Sequence, residues 1–230
     1  NLVNLFQLAP ICMVGTFVAG MINSAFYAMG PIFGLDMGLA VSQVSLFMSL
    51  TVWSGLLFQF PVGLLSDRLD RLLVLGGIGF LIALVSLSIA FLGGKGMGML
   101  LVLTVCFGVV FSIYPVSMAR AQDNIEKADI VPVSAALILF FGLGACVGPL
   151  AASFFIALIG PWGLYFFTAS CGGILGGAAW GYRWKQPSSV ADQVAFVPMP
   201  RTSPVVSHFD PRGEAGDGTE EAGNSVGGRE

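Results

Sequence analysis

Five stretches of this chain carry no charged residue: 1–35, 37–66, 72–94, 96–119 and 130–182. A helix needs about 20 apolar residues to cross a hydrocarbon core roughly 30 Å thick. Each of the first four stretches fits one crossing. The fifth has 53 residues and fits two, divided at Gly160-Pro161. Only 10% of the 230 residues are charged, whereas a soluble domain carries about 25% because its surface must be solvated. A soluble all-helical protein alternates polar and apolar faces over shorter helices, and that pattern is absent. Lipid offers the backbone no hydrogen-bond partners, so the crossings must be helices or a closed barrel. Barrel strands alternate and span about 9–11 residues, which these uniformly apolar runs do not.

The expected fold is therefore an all-α membrane protein, a six-transmembrane-helix bundle over residues 1–184. Helices are predicted at about 8–29, 41–64, 72–92, 97–118, 132–159 and 161–182. From 185 to 230 the composition turns to Pro, Gly, Ser and acidic residues. Such a segment buries too little apolar surface to offset its ordering entropy, and it reads as a disordered cytoplasmic tail. The start lacks the basic region of a signal peptide. Residue 1 is Asn rather than Met, and the chain is expected to begin mid-protein, with an N-terminal half outside it.

Lys and Arg in the short links set the orientation. Arg68 and Arg71, then Arg120 and Lys127, then Arg183 and Lys185 fall on one side, against Lys95 alone on the other. Positive charge marks the cytoplasmic side, and an even number of spans agrees. Both chain ends are expected to be cytoplasmic, in the cytoplasmic (inner) membrane.

Chemistry-bearing residues are sparse. Cys12, Cys106, Cys146 and Cys171 lie inside predicted spans without a CxxC pair and read as small buried hydrophobes. His208, the only histidine, is in the tail. No metal site, cofactor or nucleic-acid partner is expected. An intramembrane serine protease needs a base beside its nucleophile, which the spans do not offer, so no enzyme is expected.

The link after the second span reads Gly63-Leu64-Leu65-Ser66-Asp67-Arg68-Leu69-Asp70-Arg71. It resembles the loop signature of the major facilitator superfamily, roughly G-x-L-[SA]-D-R-x-G-R. Gly63, Leu65, Ser66, Asp67, Arg68 and Arg71 match; Asp70 stands where glycine is usual. Asp tolerates a left-handed backbone better than most residues, so Asp70 is expected to keep the turn. A carboxylate in so short a link can approach a helix N-terminus while the arginines pair with acids or lipid phosphates. Contacts of that kind bias one global state over another, which makes Gly63, Ser66, Asp67, Arg68 and Arg71 the candidate gating motif.

The likeness extends over roughly residues 5–182. It includes the stretch from Gly20 to Pro31, Gln59-Phe60-Pro61-Val62-Gly63, Tyr114-Pro115-Val116-Ser117-Met118-Ala119, and Gly144-Ala145-Cys146-Val147-Gly148-Pro149. Together these look like the second half of the YcaD-like branch of the superfamily. The resemblance implies twelve helices in two six-helix halves, this chain supplying helices seven to twelve. It also implies transport of a small solute by alternating access, often coupled to protons, with the lipid bilayer and the other half as partners. Gly144, Gly148 and Pro149 resemble a helix-packing and hinge element. Gly172 and Gly176, and Gly173, Gly177 and Gly181, repeat the close-packing spacing in the last span.

By the same analogy the first, second, fourth and fifth spans border a central cavity. Thr16, Asn23 and Tyr27 fall near one helix face. Asn23 and Tyr27 are the leading candidates to hydrogen-bond a solute, with Trp53, Gln59 and Tyr114 behind them; interhelical bonding or aromatic packing is the alternative for each. Absence of any charged residue inside the predicted spans removes an obvious proton carrier or counter-ion from this half. A self-contained six-span protein acting as a dimer, or a non-transporting receptor, is the competing reading.

Overall fold

A computed structural model describes residues 10–123 and 130–185. Among them there is no strand. Seven α-helices follow in order: α1 Pro10–Asp36, α2 Val41–Arg68, α3 Arg71–Leu92, α4 Met97–Phe107, α5 Ile113–Gln122, α6 Ile130–Ile159 and α7 Gly163–Lys185. α4 and α5 form one span, Met97–Gln122. Among the described residues, five spans are long and apolar enough to cross a membrane. The last helix, α7, is less apolar, and its 23 residues rise about 34 Å at 1.5 Å per residue. The expected disorder of 185–230 falls on residues outside those described, apart from Lys185.

Two features depart from the sequence reading. α1 continues through Pro31 to Asp36 instead of stopping near 29. In lipid, losing one backbone bond at a proline costs less than ending a helix, because neighbouring helices re-satisfy the freed group. The fourth span is not one continuous α-helix either. Gly108–Ser112 is wound as a 3₁₀ segment at mid-length. Glycines with positive φ reverse the chain after α1 at Gly38 (φ 77°) and after α6 at Gly160 (φ 85°), where a Cβ would be strained.

Three glycine-lined seams hold the bundle. α1 crosses α6 so closely that a Cβ on Gly20 would collide with the Phe141 carbonyl, one on Gly144 with the Phe17 carbonyl, and one on Gly148 with the Met21 carbonyl. α3 crosses α7 at Gly79, where a Cβ would lie 2.6 Å from the Gly176 nitrogen and 2.8 Å from the Gly172 oxygen. α2 meets the 3₁₀ segment: a Cβ on Gly108 would come within 2.7 Å of the Gly55 nitrogen, and Gly55 itself faces the Phe111 ring. Residue numbers rise together along the first and third seams and oppose one another along the second. Spans one and five therefore run one way, three and six oppose, and two and four run together, as a chain threaded back and forth requires.

Gly172 and Gly176 are packed as the spacing suggested. Gly173, Gly177 and Gly181 are not: nothing lies within 4 Å of a Cβ at any of them. Small-residue spacing recurs on both faces of α7, but only one face meets α3. α2 and α6 show much of their apolar surface, with Leu57, Phe60, Leu150 and Leu158 exposed. Lipid, or further protein, is the only medium in which such surfaces are not costly.

Candidate functional site

Asp67, Asp70, Arg71, Arg120, Asp123 and Arg183 collect where α2, α5 and α7 finish and α3 begins. α2 finishes with Asp67 in its last turn, and the backbone straightens at Leu69. Asp70 then caps α3. Its Oδ1 accepts from the Leu72 amide at 2.9 Å, satisfying one of the donors a helix N-terminus leaves open. Its backbone is not left-handed (φ −56°, ψ 120°), which corrects the expectation drawn from the missing glycine. Asp stands here because a cap needs an acceptor, not because the turn needs positive φ. The second oxygen of Asp70 takes Arg183 Nε from the end of α7 at 2.9 Å.

Arg71 is the centre of this end. It is 1% exposed and is among the largest fully buried side chains. Nη1 donates to the Ala119 carbonyl at 2.8 Å and to Asp123 Oδ1; Nη2 donates to Asp67 Oδ1 at 3.1 Å. Arg120 lies 3.7 Å from the other oxygen of Asp123. Two acids face two bases in this group, and Asp70 with Arg183 adds one of each. The cluster is neutral, as burial demands: an uncompensated charge would cost several kcal/mol. Arg supplies the hub because its planar fork aims donors from two separated nitrogens at acceptors on different elements, whereas a lysine ammonium gathers its three donors at one point.

The other motif positions divide. Gly63 and Ser66 are buried, while Arg68 is exposed. Asp123, Arg120, Arg183 and the Ala119 carbonyl were not found from sequence. The Arg120–Asp123 spacing of three at a helix end was the available signal.

The cavity candidates are spread. Asn23 is 2% exposed, inside the bundle. Tyr27 is half-exposed, its ring 6.0 Å from Phe111 and 6.0 Å from Phe26. Gln59 Nε2 donates to the Phe111 carbonyl at 3.5 Å, the oxygen that Pro115, lacking an N–H, leaves without its usual helical donor. Tyr27 and Gln59 thus converge on Phe111. Trp53 is exposed on α2, and Tyr114 is buried edge-on against Phe141 at 5.3 Å; neither joins that convergence. Thr16 donates back to the Met13 carbonyl at 3.1 Å. Gly144 and Gly148 form the α1–α6 seam, with Pro149 next to them inside α6.

A profile of the Major Facilitator Superfamily matches residues 12–211. The chain belongs to the Major Facilitator Superfamily. It is an integral membrane protein. An uncharacterized MFS-type transporter of Yersinia enterocolitica is 32% identical over 139 residues, 60% of this chain and 35% of the relative. One of Yersinia pestis is 33% identical over 139 residues, with the same coverage. The uncharacterized MFS-type transporter YcaD of Escherichia coli is 33% identical over 135 residues, 59% of this chain and 34% of its own length. The matched stretch thus spans about a third of these superfamily members, which carry the names of transporters and not of enzymes.

Proposed function

We propose that this chain is the second six-helix half of a secondary transporter that moves a small solute by alternating access, with both chain ends in the cytoplasm. The reading rests on one observation: the superfamily profile runs from α1 to beyond α7. The neutral cluster around Arg71 then acts as a latch on the cytoplasmic end, joining α2, α3 and α5 through Asp67 and Asp123. Gly63 and Ser66 seat it, and Arg68 faces outward from it. One hydrogen bond to a charged group contributes about 1.5–3 kcal/mol. That shifts a two-state equilibrium roughly tenfold or more, enough to set which face of the transporter is open. Asn23, Tyr27, Trp53, Gln59 and Tyr114 supply polar and aromatic contacts for the solute. With no charge in the stretches 1–35, 37–66, 72–94, 96–119 and 130–182, that solute is neutral or weakly polar.

The full-length protein reconstituted in proteoliposomes tests this, screened first with neutral solutes. Wild type accumulates a solute, and Asp67→Ala lowers uptake about tenfold with membrane insertion unchanged. Absence of any uptake by wild type refutes transport. Undiminished uptake by Asp67→Ala refutes the latch alone.

A further inference from the structure

The stretch Gly108–Ser112 divides the fourth span into two α-helical rods, α4 and α5. Gly108 has φ −55° and ψ −19°, and the Ile113 amide donates to the Val110 carbonyl three residues back. Five residues is a long run for 3₁₀ winding, which at mid-helix marks a hinge or a segment under strain. The winding is held from α2. Gly108 lies against the Ser54–Gly55 backbone and the Phe111 ring lies on Gly55. Gln59 donates to the Phe111 carbonyl at 3.5 Å, the long limit for such a bond, and Pro115, four residues on, has no N–H to offer it. Two hydroxyls of this region are buried without a partner among the described residues, Ser112 at 1% exposure and Ser117 at 0%. Groups buried this deeply are normally bonded, so the winding seen leaves polar capacity unused.

A 3₁₀ helix turns about 120° and rises about 2.0 Å per residue, an α-helix about 100° and 1.5 Å. Rewinding five residues from one form to the other turns α5 about 100° relative to α4 and draws it about 2.5 Å along the axis. A Cα on the surface of α5 then moves about 4 Å. Both windings bond the amides within the span, so the change presents no row of open backbone groups to lipid. α5 carries the Ala119 carbonyl, and Asp123 follows its last residue; both accept from Arg71. A movement of about 4 Å breaks such bonds. We propose that Gly108–Ser112 is a winding switch: α2 holds it as 3₁₀ through Gly55 and Gln59, and its release to α winding turns α5 and takes Ala119 and Asp123 away from Arg71. Tyr27 packs on Phe111 at 6.0 Å, so an event at this level of the bundle reaches the charged end as rotation. α2 touches the device twice, since Asp67, two turns beyond Gln59, also holds Arg71. The switch deepens the latch reading of the Arg71 cluster and rests on it for any effect on transport, while the winding itself is measured without transport.

Pulsed electron paramagnetic resonance on the full-length protein in nanodiscs tests it, with spin labels on cysteines replacing Gln122 and Trp184 in a cysteine-free background. A control pair at Val102, exposed on α4, and Trp184 reports the half of the span that stays still. Pro115→Ala gives the Phe111 carbonyl an α-helical donor, and Gln59→Leu withdraws the donor that α2 supplies. Each should add a second Gln122–Trp184 distance displaced by several ångströms, with the control pair unchanged. Asp123→Asn, which weakens the hold at the other end, should populate the same distance, because coupling between two sites is reciprocal. Pro115→Ala installs a good helix former and carries the test if Gln59→Leu does not fold. A single unaltered distance in both Pro115→Ala and Gln59→Leu overturns the switch, as does an equal shift of the control pair, which is the whole span moving. A shifted distance in Pro115→Ala with uptake unchanged removes the latch reading and leaves the switch standing.

Discussion

Replacing Arg71 is the sharpest test of how this charged end of the bundle is built. Arg71→Leu keeps the bulk of the side chain and removes three donated bonds, to Ala119, Asp123 and Asp67. The Asp123 side chain is 1% exposed, and Arg120 stands 3.7 Å from it. Stranding a buried carboxylate in this way costs about 3–5 kcal/mol. Asp67, with a side chain 32% exposed, is rehydrated and adds little. Arg71→Lys retains the charge but reaches fewer acceptors from one nitrogen, and loses about 1.5–3 kcal/mol for a forfeited charged bond. Arg71→Leu combined with Asp123→Leu removes both members of the pair, and should be less destabilised than the sum of the single changes by about 1–3 kcal/mol. Unfolding of the protein in mixed micelles with increasing SDS, followed by tryptophan fluorescence, gives these differences. If Arg71→Leu lies within about 1 kcal/mol of wild type, the buried-hub argument is wrong.

Gly144→Ala should destabilise by about 1–3 kcal/mol through its collision with the Phe17 carbonyl, whereas Gly173→Ala, with open space around it, should stabilise by up to about 1 kcal/mol; the same unfolding assay separates them. Asp70→Ala removes the α3 cap and the Arg183 pair and should cost about 1–2 kcal/mol, while Asp70→Asn, which keeps a capping oxygen, should cost less than half of that. A cysteine at Arg68 should react with membrane-impermeant maleimide only from the cytoplasmic face, and one at Lys95 only from the outer face; the opposite pattern reverses the orientation.

The spans were legible because lipid imposes one rule on every residue, and 53 uncharged positions in a row leave no other solvent. The Gly144–Gly148 seam was legible for the same kind of reason: spacing on one helix is a local property. Gly20 on the opposing helix was not, since a lone small residue looks the same whether it faces a neighbour or lipid. Sequence placed Asp67 and Arg71 together but gave no means to find Asp123, 52 residues on, because their meeting depends on how the third and fourth spans pack. Asp70 was misjudged by treating it as a substitute for glycine, when its oxygens were the relevant feature. The 3₁₀ segment lay hidden in Gly108-Val109-Val110-Phe111-Ser112, whose composition reads as ordinary apolar helix; only Pro115 downstream hinted that the winding changes.

The seams between α1 and α6 and between α3 and α7 rest on carbonyl oxygens and amide nitrogens lying against bare glycine. Peptide atoms are common to all twenty residue types, so the substance of these joints is untouched when neighbouring positions mutate. The remaining faces of each rod can therefore be repainted without loosening the joints, provided a handful of hydrogen side chains stay as they are.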